Sequence, residues 1–400
     1  MKKILYRIFH LSLLGIGIVS CQKDGTTEPI PSREAIEFSA RAIGTKGQLP
    51  LTHLDNLAAQ DFSISAWYTK GGETFGSQST AYLVNHRFGT MDNQTSDETV
   101  WRGIARNPEN NEKSPDPVYY PLDGTLSFFS FAPYREQSET SDIRFVADPE
   151  ETVTERLTEY GYLSGSPLII FTPAESAAKQ IDFVAAAPVL DRKKGDGVVP
   201  LDFTQHLTTN IQFYCKYQGS VSAGEEKVLI KSIWIHNVIG SEYLFFTKNG
   251  EDLGCQWSSK VSPDGNDSMP LKSYSLTIDN LELTNGAYLS STDFIQVNSQ
   301  VTGRMYLLPQ DIPDDKSLVF DDTRDPYLQI TYLVLNRQNE IVDENILVYD
   351  LRGTKDWPQG QTVAYYVTIS VAQRKELNIT ARILDWDNAG NTHEPTELMY

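Results

Sequence analysis

Basic residues are scarce in this sequence. Of 400 residues, 34 are Lys or Arg against 53 Asp or Glu, for a net charge of −19. So acidic a chain repels phosphate backbones, which excludes nucleic acid as a partner. Cysteine is scarcer still, with three, which excludes a disulfide-dense scaffold. The six histidines (His10, His53, His86, His206, His236 and His393) never fall three or four apart, and none neighbours a cysteine. No zinc-site spacing is therefore present. The mean hydropathy of −0.36 excludes a polytopic membrane protein. G-x-S-x-G, phosphate-loop and dinucleotide fingerprints are missing. Ser176-Ala177-Ala178-Lys179 matches an S-x-x-K string without the companion motifs that give that string meaning. The expectation is a protein that is not an enzyme and uses no cofactor and no metal.

What is present begins with an address. Lys2, Lys3 and Arg7 precede an apolar stretch from Ile8 to Val19, too short for the ~20 residues of a membrane-spanning helix. It ends Ile18-Val19-Ser20-Cys21, which resembles a bacterial lipobox. That resemblance implies removal of residues 1–20 by signal peptidase II, cutting between Ser20 and Cys21, and acylation of Cys21. Each buried CH₂ contributes ~0.8 kcal/mol, so several acyl chains tether a protein stably where one does not. Residues 21–34 are polar, with Gly25, Pro29 and Pro31, and read as a flexible spacer. The polar, acid-containing run after Cys21 resembles the surface-export tag of Bacteroidota lipoproteins. The expected location is the cell outer membrane, on its exposed side.

The body alternates with period two. Ile36, Phe38, Ala40 and Ala42 fall on one face of a strand. Phe62, Ile64, Ala66 and Tyr68 do the same, as do Ile211, Phe213, Cys215 and Tyr217. Val363 through Val371 and Leu377 through Ile383 repeat the pattern. Residues 126–132 (LSFFSFA) are bulky on both faces, which predicts a central strand. A strand sends successive side chains to opposite faces, so each run buries one face. Helical periodicity is rare; residues 174–180 offer a turn or two. Many short strands between Gly, Pro, Asn and Asp predict an all-β protein of antiparallel sandwiches. Residues 105–120 and 135–158 read as long loops. The charged, Gly-rich segment 191–197 marks a boundary, placing one sandwich at 35–190 and a second at 198–388, with a polar tail at 389–400.

Few residues suggest chemistry. Cys215 and Cys255 are a candidate disulfide in an exported setting, although two separate buried thiols fit equally. Cys255 reads as part of a Gly-Cys-Gln-Trp turn. The acidic groups Asp311/Asp314/Asp315 and Asp321/Asp322/Asp325 read as Asp/Pro-rich turns that need no calcium. Asp267-Ser268-Met269 resembles a Bacteroidota O-glycosylation pattern and makes Ser268 a candidate site.

Several landmarks together resemble the fimbrillin-like lipoproteins, subunits of type V pili of Bacteroidota. They are Ile36–Ala42 with Thr45-Lys46, Asp61-Phe62 with Trp67-Tyr68, residues 126–134, Asp182–Ala186, Val199–Leu207, Met305–Gln310, Trp357–Val371 and Ile383–Trp386. The resemblance implies two tandem transthyretin-like β-sandwich domains with long loops. It implies assembly with other fimbrial subunits by donor-strand exchange, after a trypsin-like protease cuts behind an arginine near the first strand. Arg41 is the preferred cut site and Arg33 the second. The tail after Trp386 is polar and broken by Pro395, a poor donor strand, which points to a tip or accessory subunit. A rival reading stays open: a non-polymerising surface lipoprotein that binds a glycan, host or bacterial surface ligand through Trp101, Tyr119 and Tyr120, which read as exposed. A hydrolase with paired carboxylates is a further rival.

Overall fold

The computed structural model describes residues 33–41, 61–90, 100–203, 205–218, 227–259, 261–263, 268–283, 294–299, 304–370 and 377–386. The period-two runs become strands. The first half supplies β1 (Phe38–Arg41), β2 (Phe62–Thr69), β3 (Thr80–Gly89), β4 (Val100–Arg106), β5 (Lys113–Pro115), β6 (Thr125–Ala132), β7 (Ile143–Val146), helix α1 (Glu151–Thr158), β8 (Leu168–Phe171) and β9 (Val184–Arg192). The second half adds β10 (Val199–Asp202), β11 (Thr209–Gln218), β12 (Lys227–Ile239), β13 (Glu242–Asn249), β14 (Asp252–Trp257) and β15 (Leu271–Glu282). The chain closes with β16 (Ile295–Gln296), β17 (Met305–Leu307), β18 (Tyr327–Leu335), β19 (Ile341–Asp350), β20 (Gln361–Ser370) and β21 (Leu377–Asp385).

Four sheets result, and the architecture is an all-β sandwich fold. The first runs β10-β1-β4-β3-β2-β6-β9, with β5 beside β4. The second is β14-β13-β8-β7, the third β15-β12-β18-β19, and the fourth β16-β11-β20-β21 with β17 also on β11. Most ladders are antiparallel, but β1 runs parallel to β10 and β11 parallel to β20. The second sheet draws on both halves of the chain, because Glu242–Phe245 of β13 pair with Leu168–Phe171 of β8. Of the segment 191–197, residues 191 and 192 end β9 and the rest lie in the β9–β10 connection, where the Asp196 amide donates to the Lys193 carbonyl.

The cores explain the patterning. One face of the first sheet buries Ile36, Phe38, Phe62, Ile64, Ala66, Phe88 and Phe128. Its other face sends Trp67, Phe129, Phe131 and Phe183 against Ile169, Phe171, Leu244 and Phe246 of the second sheet. β2 and β6 are therefore covered on both sides, as the bulky LSFFSFA run predicts. Ile211, Phe213 and Cys215 of β11 and Val363, Tyr365, Val367 and Ile369 of β20 meet Ile230, Ile233, Leu328 and Ile330 between the third and fourth sheets.

Two segments differ from the sequence reading. Residues 135–158 carry β7 and α1 instead of one long loop. α1 buries Leu157 and half-buries Val153 against Leu168, Ile170, Tyr243 and Phe245. A helix with only two apolar residues leaves too thin a stripe to register as 3.6-residue periodicity. Residues 105–120 form the end of β4 and the short strand β5, which pair antiparallel. Cys255 lies within β14 and not in a turn.

Candidate functional site

The segment 34–41, where the family resemblance puts the exchangeable first strand, is held by the fold on both sides. Phe38–Arg41 pair in parallel with Val199–Asp202 of β10. On the other side Phe38 and Ser39 pair with Trp101 and Val100 of β4. Nearer the start, the Ile36 amide donates to the Val118 carbonyl at 2.8 Å and the Tyr120 amide to the Glu34 carbonyl at 3.0 Å. The Val199 amide donates to the Glu37 carbonyl at 2.9 Å. Gly103 lets the 116–120 run come close: a Cβ there would stand 2.2 Å from the Asp116 carbonyl oxygen. β1 is thus an inserted strand, and without it β4 and β10 would face each other across an empty lane.

Two side chains plug that lane. Ile36 and Phe38 are fully buried. The Phe38 ring meets Phe88 at 4.9 Å, Phe128 at 5.1 Å and Phe62 at 6.4 Å, each close to perpendicular. Burying a Phe or Ile contributes ~1.5–3 kcal/mol, and edge-to-face ring contacts add ~0.5–1.5 kcal/mol each. On the wet face Arg102 Nε donates to Glu37 at 2.7 Å, a partly exposed pair worth little.

The far end of the β1–β2 connection is tied down. Asp61 opens β2 with its side chain buried and a left-handed φ of 55°. Arg106 Nε donates to one carboxylate oxygen, and Lys113 Nζ lies 3.3 Å from the other. The same lysine donates to the Thr90 carbonyl at 2.8 Å. This knot fastens β2 to the β4–β5 hairpin independently of β1. Sequence reading missed it; the only local signal is an acid directly before an apolar strand.

A second convergence joins distant landmarks. His206 Nδ1 lies 2.8 Å from Asp182 Oδ1, and both are buried. Trp386, at the end of the last strand, stacks on the His206 ring at 3.9 Å. Tyr306 stacks on Trp386 at 5.7 Å. The crossover 182–207, the 305–310 run and the chain's closing motif therefore pack as one block.

Residues 55–386 match the fimbrillin-like family. The chain belongs to it. This is a family of structural fimbrial subunits and not of enzymes. No match is found among curated proteins. Among solved structures, a fimbrial protein from Bacteroides vulgatus is 14% identical with a TM-score of 0.52, covering 89% of this chain and all of its own. A protein from Bacteroides uniformis, provisionally named for cell adhesion, is 16% identical with a TM-score of 0.45, covering 90% and 100%. At such identities the likeness concerns the fold.

The fimbrillin-like chain places the remaining candidates as follows. Ser20 and Cys21 lie outside the described residues. Arg33 is exposed before β1. Arg41 ends β1 with its backbone registered against Asp202, and its side chain is outside the described set. Ser268 is exposed. The structure does not bring Cys215 and Cys255 together: both thiols are free, one in β11 between the third and fourth sheets, the other in β14 of the second sheet. Burial pushes the Cys255 thiol up to about 12 and the Cys215 thiol up as well. Asp321 accepts from the Thr323 amide and hydroxyl and from Arg324, so it closes its own turn. Trp101 and Tyr120, read from sequence as exposed, are 1% and 6% exposed and belong to the core around Phe38. Burial also pushes the Tyr120 phenol up to about 12. Tyr119 is half-buried.

Proposed function

We propose that this fimbrillin-like chain is a lipid-anchored surface subunit of a fimbrium that exchanges β1 for a strand supplied by another subunit and supports adhesion. The supporting observation is the position of β1 between β4 and β10, with Ile36 and Phe38 as its plugs. Removing such a strand bares unpaired N–H and C=O groups together with an apolar slot. An incoming strand with alternating apolar residues satisfies both. The Asp61–Arg106–Lys113 knot keeps β2 seated while β1 leaves.

The two candidate arginines are not equivalent. A cut behind Arg33 leaves β1 joined to the body through residues 42–60. A cut behind Arg41 leaves β1 held only by non-covalent contacts. Arg41 is therefore the maturation site in this proposal, and acylated Cys21 anchors the precursor to the outer membrane until that cut. The lane that β1 occupies between β4 and β10 makes the chain a strand acceptor in this proposal, in a tip or accessory position.

The test is limited proteolysis of purified precursor with a trypsin-like protease. Ladders of higher mass that vanish in Arg41→Ala but persist in Arg33→Ala support the proposal. Clean scission behind Arg41 with the protein still monomeric, even when mixed with partner subunits, would sink it. Mass spectrometry of the membrane-extracted chain tests diacylglyceryl-Cys21.

A further inference from the structure

The lane that holds β1 has a polar rim as well as an apolar floor. Ile36 and Phe38 fill the floor. The rim meets two carboxylates of the same segment. Arg102 of β4 reaches Glu37, with Nε donating to a carboxylate oxygen at 2.7 Å. From the β9–β10 turn the Gly195 amide donates to Glu34, whose two oxygens lie 3.1 and 3.2 Å away. Gly195 holds a left-handed φ of 92°, and the residues just before it are Arg192, Lys193 and Lys194. Arg102 and this turn belong to the body, so both contacts stay behind when β1 leaves. In a chain of net charge −19, the rim of this lane receives acid.

We propose that the lane selects the strand that replaces β1 by charge as well as by shape: the entering strand runs as β1 does and carries carboxylates at the places of Glu34 and Glu37, with apolar side chains at those of Ile36 and Phe38. The proposal rests on the strand-exchange reading above and names the chemistry of the partner strand. Floor and rim act differently. Backbone pairing and the two apolar plugs give affinity to any strand of the right alternation. The rim discriminates among such strands. As an attraction the partly exposed Glu37–Arg102 pair contributes little. Specificity, however, is a difference between two affinities. A strand with Lys or Arg at the place of Glu37 sets two cations together at the edge of an apolar core, and like charges across an interface are strongly disfavoured. A cation at the place of Glu34 faces the Gly195 N–H, donor against donor, beside a turn that already carries basic residues. An acid at either place meets the partner that β1 left behind.

Peptide uptake by the full chain cut behind Arg41 tests this, in competition with the chain's own released segment. The probes are fluorescein-labelled peptides of residues 34–41 (EAIEFSAR): the native sequence, Glu37→Arg, Glu34→Lys, and Ile36→Ser combined with Phe38→Ser. The native peptide is expected to enter, each charge-reversed peptide to bind at least about fivefold more weakly, and the plug variant to stay out. Arg102→Glu in the chain is expected to make the Glu37→Arg peptide the better binder of the two. Arg102 is half-exposed on the wet face, so the fold tolerates that change. Added salt is expected to narrow the gap between native and charge-reversed peptides while uptake persists, because screening weakens the rim and not the plugs. Equal uptake of the native peptide and either charge-reversed one, with the plug variant still excluded, overturns charge selection and leaves strand exchange standing. A preference for the native peptide over Glu37→Arg that Arg102→Glu does not alter overturns it too, since the discrimination then lies outside the rim. Exclusion of every peptide overturns strand exchange itself, and this proposal with it.

Discussion

Phe128 and Phe129 are neighbours in β6 and belong to different cores. Phe128 meets Phe38 at 5.1 Å inside the first sheet, while Phe129 meets Phe246 of the second sheet at 4.8 Å. Replacing either by Ala leaves a cavity and is expected to cost ~3–5 kcal/mol in urea unfolding. The two differ in what else they disturb. Phe128→Ala is expected to speed proteolysis behind Arg41 by loosening β1, and Phe129→Ala to leave that rate unchanged. Equal acceleration by both would show that β1 is released only by global unfolding.

Phe38→Ala removes the larger plug of the β1 lane and is expected to destabilise by ~3–5 kcal/mol. Glu37→Ala breaks the Arg102 pair one residue away. With both partners partly exposed, it is expected to cost less than ~1 kcal/mol. Denaturant midpoints of the two variants, measured side by side, separate plug from ornament.

Asp61→Ala strands Arg106 and Lys113, whose side chains are largely buried. Breaking such a cluster from one side is expected to cost ~3–5 kcal/mol. Adding Arg106→Met to Asp61→Ala is expected to recover part of that loss, because the uncompensated charge goes with it. A double-mutant cycle with simple additivity would show that the three groups do not act as a unit.

Glu242 opens β13 with its carboxyl buried, accepting from the Ser259 amide. Burial pushes its pKa up to about 7. Below about pH 4.5 the group is neutral in both the folded and unfolded chain. Between about 4.5 and 7 the folded chain keeps a proton that the unfolded chain has lost. Stability therefore falls as pH rises through this window and levels off above it, by ~3 kcal/mol in all. Glu242→Gln is expected to remove that decline, read as the pH dependence of the denaturation midpoint relative to the parent chain. A parallel decline in both proteins would assign it to other groups.

Buried Cys215 is expected to resist alkylation at pH 8 in the native protein, half-buried Cys255 to react slowly, and both to react at once in urea. Mass spectrometry of labelled peptides reads this directly. Native labelling of Cys215 would place β11 in an open, exchanging state.

Much of the strand content was legible because alternation is a local property. Phe62–Thr69, Thr125–Ala132, Thr209–Gln218 and Gln361–Ser370 emerge where period two says they should. The double burial of β6 could be read from two adjacent bulky rings. α1 was not legible, since two apolar residues make no stripe. Exposure was misread at Trp101 and Tyr120, because a residue in a polar-looking stretch still packs inward when another segment lies over it.

By itself the sequence determined that the chain is built of strands, which face of each is apolar, and that its start resembles a lipid address. Those follow from the two-residue repeat of extended backbone and from short linear signals. Only the tertiary structure decided that β1 lies between β4 and β10, that β13 completes a sheet with β8, and that Asp61 finds Arg106 and Lys113. Backbone hydrogen bonds are identical at every residue, so alternation says that a strand must pair but not with which one. That choice is made by how distant side chains fill a common core.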